Sequence, residues 1–276
     1  ATMRVGSLCT GYGGLEMGIE QAFGPIELVF VSDIDKNVSK LLAHHHPDTP
    51  NLGDLTKVNW EQQQSIDLLC AGYPCQPFSV AGKKKGAEDE RAIFGWIADA
   101  ISVLRPERIL LENVANHLTL GGVGVIAELT RLGYDCRWGL VRASDAGAAH
   151  QRARLFIWAE ITDSTAQGLQ RTQPAERRLM SPRCNRTAHY SYWGKYGQAV
   201  AHWELIIGIS APAPMDNKGR INSCFVEWMM GLPEGHVTGL GLSRTAELKM
   251  LGNGVVPQQA ALALHYLTQE RVPNAA

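Results

Sequence analysis

The sequence predicts an α/β fold: a mixed, mainly parallel sheet with helices on both faces and a small inserted lobe. Three observations predict it. Short β-branched, apolar runs alternate with helix-like stretches through the first 160 residues, the pattern of a parallel sheet covered on both faces. A glycine-rich turn, Asp33, a proline-flanked Cys75 and Glu112 all fall at predicted strand ends, where ligands sit in such sheets. Length and composition agree: 276 residues with 45% apolar and 19% charged residues suffice for one large core plus an appendage and exclude a disordered chain.

The elements follow in order. "RVGSL" (4–8) is the first strand and leads into the glycine turn. "ELVFVSD" (27–33) is the second, followed by a helical "KNVSKLLAHH". "IDLLC" (66–70) precedes the cysteine loop, and "AIFGWIADAISVL" (92–104) has helical apolar spacing. "RILLEN" (108–113) is a buried strand and "VGVIAELTRLG" a helix; "YDCRWGLVRA" and "RLFIWAEI" close the series as strands. Near the C-terminus, "AELKMLGNGVVPQQAALALHYLTQ" reads as a loop followed by a closing helix with a core-facing stripe.

From about residue 161 the character changes. Periodicity weakens, and between 166 and 196 Arg171, Arg177, Arg178, Arg183, Arg186 and Lys195 stand against Glu176 alone. Tyr190, Tyr192, Trp193 and Tyr196 are interleaved with them. Such a segment suits phosphate contact and base stacking; the plainer reading is a solvated insertion. The formal net charge of −1 means that any nucleic-acid surface must be local. The expected division is a catalytic domain over 1–160 and 245–276 with a small recognition lobe over 161–244.

Six cysteines are present without a C-x-x-C pair, which argues against a zinc ribbon or a thioredoxin-type site. No membrane span or signal segment is evident, so the expectation is a reduced, cytoplasmic protein. The triplet His44–His46 sits at a predicted helix end before Pro47, where polar side chains meet free carbonyls, and no metal site is expected there.

Gly11, Gly13 and Gly14 clear side chains from a turn that a ligand must approach closely. Their pattern is not the G-x-G-x-x-G of a dinucleotide site. Asp33, at the end of the second strand, can bind ribose hydroxyls, and Asp54 can receive an adenine amino group. Each acid alone is also a plain helix cap. Cys75 lies in "GYPCQPFSVAGKKKG", with Lys83, Lys84, Lys85 and Arg91 close behind; a cationic neighbourhood favours the thiolate. Pro74 and Pro77 argue against a merely buried structural thiol.

These residues resemble the cytosine-C5 DNA methyltransferase family. "GYPCQPFSVAGKKKGAEDER" is similar to its P-C-Q catalytic loop, "SLCTGYGG" to its S-adenosylmethionine loop, and "LLENV" to its glutamate–asparagine–valine motif. "HQRARLFI", "CFVEWMMGLPEG" and "MLGNGVVPQ" match its later motifs in order. The match spans the chain except roughly 161–215, and the compact size looks most like short phage-borne or actinobacterial members. Ser7, Cys9, His150 and Gly254 stand where aspartate, phenylalanine, glutamine and serine are usual.

The resemblance implies a Rossmann-like methyltransferase that uses S-adenosylmethionine, without a metal. It would act as a monomer on double-stranded DNA, on a cytosine flipped out of the duplex at a short specific sequence. It assigns the nucleophile to Cys75, proton donation at the base to Glu112, and base orientation to Arg154 and Arg152. The cofactor site would use Thr10, Gly11, Tyr12, Gly13, Gly14, Leu15, Asp33, Ile34, Asp54, Leu55, Pro74, Asn253, Gly254 and Val255. Gln76, Ser79, Lys83, Lys84, Lys85, Arg91 and Arg220 would face DNA. Asn113 reads as scaffold rather than chemistry. Two alternatives stand beside this reading: an RNA cytosine-C5 methyltransferase, whose Cys-Phe-Thr segment here reads Cys224-Phe225-Val226, and an inactive DNA-binding decoy.

Overall fold

A computed structural model of the chain describes residues 2–74, 92–162 and 192–269. Its strands are β1 (Met3–Leu8), β2 (Ile26–Ser32), β3 (Leu68–Gly72), β4 (Arg108–Val114), β5 (Tyr134–Val141) and β6 (Arg154–Ile161). They form one sheet in the order β2-β1-β3-β4-β6-β5. The first four neighbours run parallel, while β6 is antiparallel to both β4 and β5. The chain leaves β1 toward one side to add β2 and returns to the other side to add β3. That reversal opens a crevice beyond the carboxyl ends of the central strands.

The helices are α1 (Gly14–Phe23), α2 (Lys36–His45), α3 (Ala92–Leu104), α4 (Val123–Arg131), α5 (Gly197–Ile207), α6 (Ser223–Met229), α7 (Arg244–Asn253) and α8 (Pro257–Thr268). On one face of the sheet, Leu15 and Ile19 of α1 and Ala260, Ala263 and Leu264 of α8 pack on Val5, Leu68, Leu110, Phe156 and Trp158. On the other, Ile97 and Ile101 of α3 and Val125 and Leu129 of α4 cover Phe30, Leu69, Ile109 and Ile157. Each buried Val, Leu, Ile or Phe among them contributes about 1.5–3 kcal/mol by leaving water. Both faces are therefore dry, and polar chemistry is confined to the strand ends.

α2 starts where Asp35 caps it, accepting from the Asn37 amide at 2.8 Å; such a cap is worth about 1 kcal/mol. Two elements differ from the expectation. β3 runs from Leu68 to Gly72 rather than over 66–70, because the Asp67 carboxylate accepts the Arg4 amide at 2.7 Å and fixes the strand's start. The predicted loop before the closing helix is helical over Arg244–Asn253. Ser243 caps it by accepting from the Ala246 amide, and Met250 and Leu251 are its buried anchors. Two glycines near its end had masked it.

A third core lies beyond the sheet's carboxyl edge. Trp203, Trp228, Leu232 and Val237 share it with Tyr12, Val31 and Leu41. Glu227 fixes the 235–238 turn there, accepting from the amides of Gly235, Val237 and Thr238 at 2.9, 2.6 and 3.0 Å. Described residues of the expected recognition lobe thus pack directly on the glycine turn and α2.

Candidate active site

A cavity of about 570 Å³ opens at the carboxyl ends of β1 to β4, within the usual size of a small-molecule site. The ends of β1 and β2 supply one wall. The Gly11 amide donates to Asp33 Oδ2 at 3.0 Å, and the Asp35 amide donates to Oδ1 at 2.9 Å. Burial raises the Asp33 carboxyl above the usual range against the pull of these donors. Ile34 is 75% exposed and lines the cavity, so an apolar surface waits beside a carboxylate. Asp54 and Leu55 line the next stretch. Asp54 caps the short helix Leu55–Lys57, accepting from the Thr56 amide and hydroxyl at 3.1 and 2.7 Å. Those bonds hold its carboxyl below the usual range. Pro74 completes this side, and Asn253 and Gly254 form the opposite wall. A carboxylate for ribose hydroxyls, apolar Ile34, Leu55 and Pro74 for a purine, and a side-chain-free turn fit an adenosyl group.

The ends of β4 and β6 bring the acid and the arginine together. Antiparallel pairing sets Val114 opposite Arg154 and Glu112 opposite Phe156. The Arg154 Nε reaches Glu112 Oε1 at 2.9 Å, and both residues line the cavity. Glu112 is buried, and burial pushes its carboxyl up to about 7 against the opposing pull of Arg154 and then Arg152. Both protonation states are thus accessible at neutral pH, as a proton-transfer group requires. Gly72 pairs with Glu112 in register, and a β-carbon there would stand 3.4 Å from Glu112 Oε2.

The profile described as C-5 cytosine-specific DNA methylase matches residues 3–227. The chain belongs to that family. Similar curated proteins include the Type II methyltransferase M.NlaX of Neisseria lactamica, 35% identical over 156 residues, which are 54% of this chain and 50% of that protein. The Type II methyltransferase M.HhaI of Haemophilus parahaemolyticus is 31% identical over 179 residues, 63% of this chain and 54% of that protein. The chain spans about half the length of these relatives. Among solved structures, the S. pombe Dnmt2 methyltransferase superposes with a TM-score of 0.67 at 17% identity, covering 97% of this chain and 100% of that one. At that identity the likeness establishes the fold.

Within this family member, the remaining site residues divide by position. Cys75, Gln76, Ser79, Lys83, Lys84, Lys85 and Arg91 lie outside the described residues. The chain reaches them through Tyr73 and Pro74 at the cavity. Asn113 fixes this approach: its Nδ2 donates to the Tyr73 carbonyl at 3.0 Å, and its Oδ1 accepts from the Val114 amide at 2.8 Å. The Tyr73 hydroxyl bonds His117 Nε2 at 2.9 Å. Sequence reasoning named Asn113 as scaffold but gave no role to Tyr73 or His117, whose contact joins residues 44 positions apart.

Thr10, Tyr12, Gly13, Gly14, Leu15 and Val255 stand behind the cavity wall rather than on it. Thr10 Oγ1 contacts Ser7 Oγ at 2.9 Å, and Leu15 belongs to the core under the sheet. Arg152 adopts a left-handed φ of 38°. That turn sends its Nη2 to the carbonyls of Gly252 and Gly254, at 2.7 and 2.6 Å, two residues that line the cavity. The half-buried His150 ring is held at about 4, by desolvation first and then by Arg152 and Arg154, and is neutral at pH 7. Arg220 lies apart from the cavity in an exposed turn, its Nε donating to Asp216 Oδ2 at 2.9 Å. His45 stacks on His236 at 4.2 Å and bonds its carbonyl. Among the described residues no cluster has the makings of a metal site, and no helix is long and apolar enough to cross a membrane.

Proposed function

We propose that the chain methylates C5 of cytosine in a short sequence of double-stranded DNA, using S-adenosylmethionine. The observation that carries the reading is the buried Glu112 carboxyl, poised at about 7 beside Arg154 on a cavity that also bears an adenosyl-type wall. Asp33 would hold the ribose hydroxyls and Asp54 the adenine amino group, with Ile34 and Leu55 against the ring. S-adenosylmethionine supplies an electrophilic methyl group when bound.

The protein's part is to make C5 nucleophilic. The Cys75 thiolate adds to C6 of the flipped cytosine. Protonated Glu112 gives its proton to N3, so the ring becomes an enamine rather than a high-energy anion. Arg154 orients the base and, by its charge, keeps the Glu112 carboxylate stable once the proton has left. After C5 has been methylated, a water removes the C5 proton, Glu112 recovers the proton from N3, and Cys75 is expelled as the thiolate. Lys83, Lys84, Lys85 and Arg91 would contact phosphates. The 161–244 segment would read the target, and the charge of its basic 166–196 stretch suits phosphate contact. Arg152 would support the base side indirectly, through the 252–254 backbone it grips.

The test is methylation of mixed-sequence duplex DNA and of transfer RNA, with 5-methylcytosine mapped at base resolution. The reading predicts methylation of DNA at one short sequence, lost in Cys75→Ala although S-adenosylmethionine still binds. Methylation of transfer RNA alone would support the RNA alternative, and no methylation of either would support the decoy.

A further inference from the structure

We infer that Tyr12 is a positioning residue that locks the Asn253–Val255 wall onto the glycine turn, with Gly254 as the steric partner its ring demands. The inference rests on the cofactor reading above and names a device that acts on that site from behind. The Tyr12 ring is buried, and its hydroxyl donates to the Val255 carbonyl at 2.8 Å. A β-carbon at residue 254 would collide with ring atoms Cδ1, Cε1 and Cζ of Tyr12.

Backbone conformation does not explain the glycine. Gly254 sits at φ −80°, ψ −178°, an extended geometry open to any residue. The demand is therefore steric, and Tyr12 imposes it. On the other side, a β-carbon at Gly14 would collide with the Val255 carbonyl, so the glycine turn and the wall interlock at two points. The wall's carbonyls are captured in turn: Arg152 takes those of residues 252 and 254, and Tyr12 takes that of 255. The Tyr12 carbonyl is itself bonded to His236 Nε2 at 2.8 Å. Asn253 and Gly254 then present a fixed surface to the cavity, while the Tyr12 side chain does not touch it.

The test is a double-mutant cycle on the full chain with Tyr12→Leu, Gly254→Ala and the pair, plus Tyr12→Phe. Two readouts are taken: S-adenosylhomocysteine binding by calorimetry and unfolding in urea. Gly254→Ala alone should weaken binding about tenfold or more. Tyr12→Leu puts a smaller side chain against the added methyl and relieves the clash, so the double variant should bind more tightly than Gly254→Ala. Tyr12→Phe, which removes one buried hydrogen bond, should raise KM for S-adenosylmethionine about fivefold, with kcat changing less. Wild-type-like binding by Gly254→Ala, or strictly additive losses in the double variant, would overturn the proposal while the wild type still binds. A wild type that binds no S-adenosylhomocysteine, yet shows coupling in unfolding, overturns the cofactor reading and reduces the pair to core packing.

Discussion

Two buried glutamates, Glu16 and Glu112, differ in what surrounds them. Glu16, in the first turn of α1, accepts from the Ser7 hydroxyl and from the Cys70 thiol at 3.5 Å, beneath the glycine turn. Glu112, at the end of β4, meets the Arg154 guanidinium at 2.9 Å and faces the cavity. Burial raises both carboxyls. For Glu16 only neutral donors oppose that rise, and the residue serves as a polar strut. For Glu112 two arginines pull the value back to about 7, so its proton can move at working pH. Burial makes an acid hold a proton; the adjacent cation and the open cavity make it able to give one away.

The comparison can be broken by mutation, and Glu112 should show the larger effect. Glu112→Gln keeps the shape but loses the transferable proton, and single-turnover methyl transfer should fall about 10²–10⁴-fold. A loss comparable to that of Glu16→Gln would erase the distinction. Arg154→Ala should slow transfer about 10²-fold. It should also move the Glu112 titration upward, because the arginine is what lowers it; a downward shift in the pH profile would contradict that assignment. Glu16→Gln should leave kcat close to wild type, since the strut touches neither base nor methyl donor.

Stability against pH sharpens the same contrast. Both folded-state values lie above the unfolded value of about 4.5, so each glutamate's contribution is fully present below that pH. It declines as the unfolded state ionises first. For Glu112 the decline should be complete near pH 7. Urea unfolding across pH 4 to 8 should therefore fall less steeply in either Gln variant than in the wild type. A slope unchanged in both would mean that neither carboxyl is protonated in the folded state.

Much of this was legible in the sequence because local signals and fold agreed. The helical "KNVSKLLAHH" and the apolar spacing of "AIFGWIADAISVL" matched α2 and α3 to the residue. The glycine turn, Asp33 and Glu112 were placed at strand ends by the alternation of runs. The Glu112–Arg154 pair was named from motifs, but its 2.9 Å contact depends on the β4–β6 register, which no local pattern encodes. Arg152 has a left-handed φ and grips the 252–254 carbonyls, contacts between residues a hundred positions apart that composition cannot show. α7 was hidden because Gly252 and Gly254 read as loop. The Tyr12–Gly254 contact joins residues at opposite ends of the chain, where a single sequence carries no pairing signal.

The most direct test of the account is the pH dependence of kcat/KM for DNA in the wild type and in Glu112→Gln, because that ratio reports groups of the free enzyme. The account predicts a limb that falls as pH rises through about 7 in the wild type and is absent from the variant. The same limb, unchanged in Glu112→Gln, would contradict it.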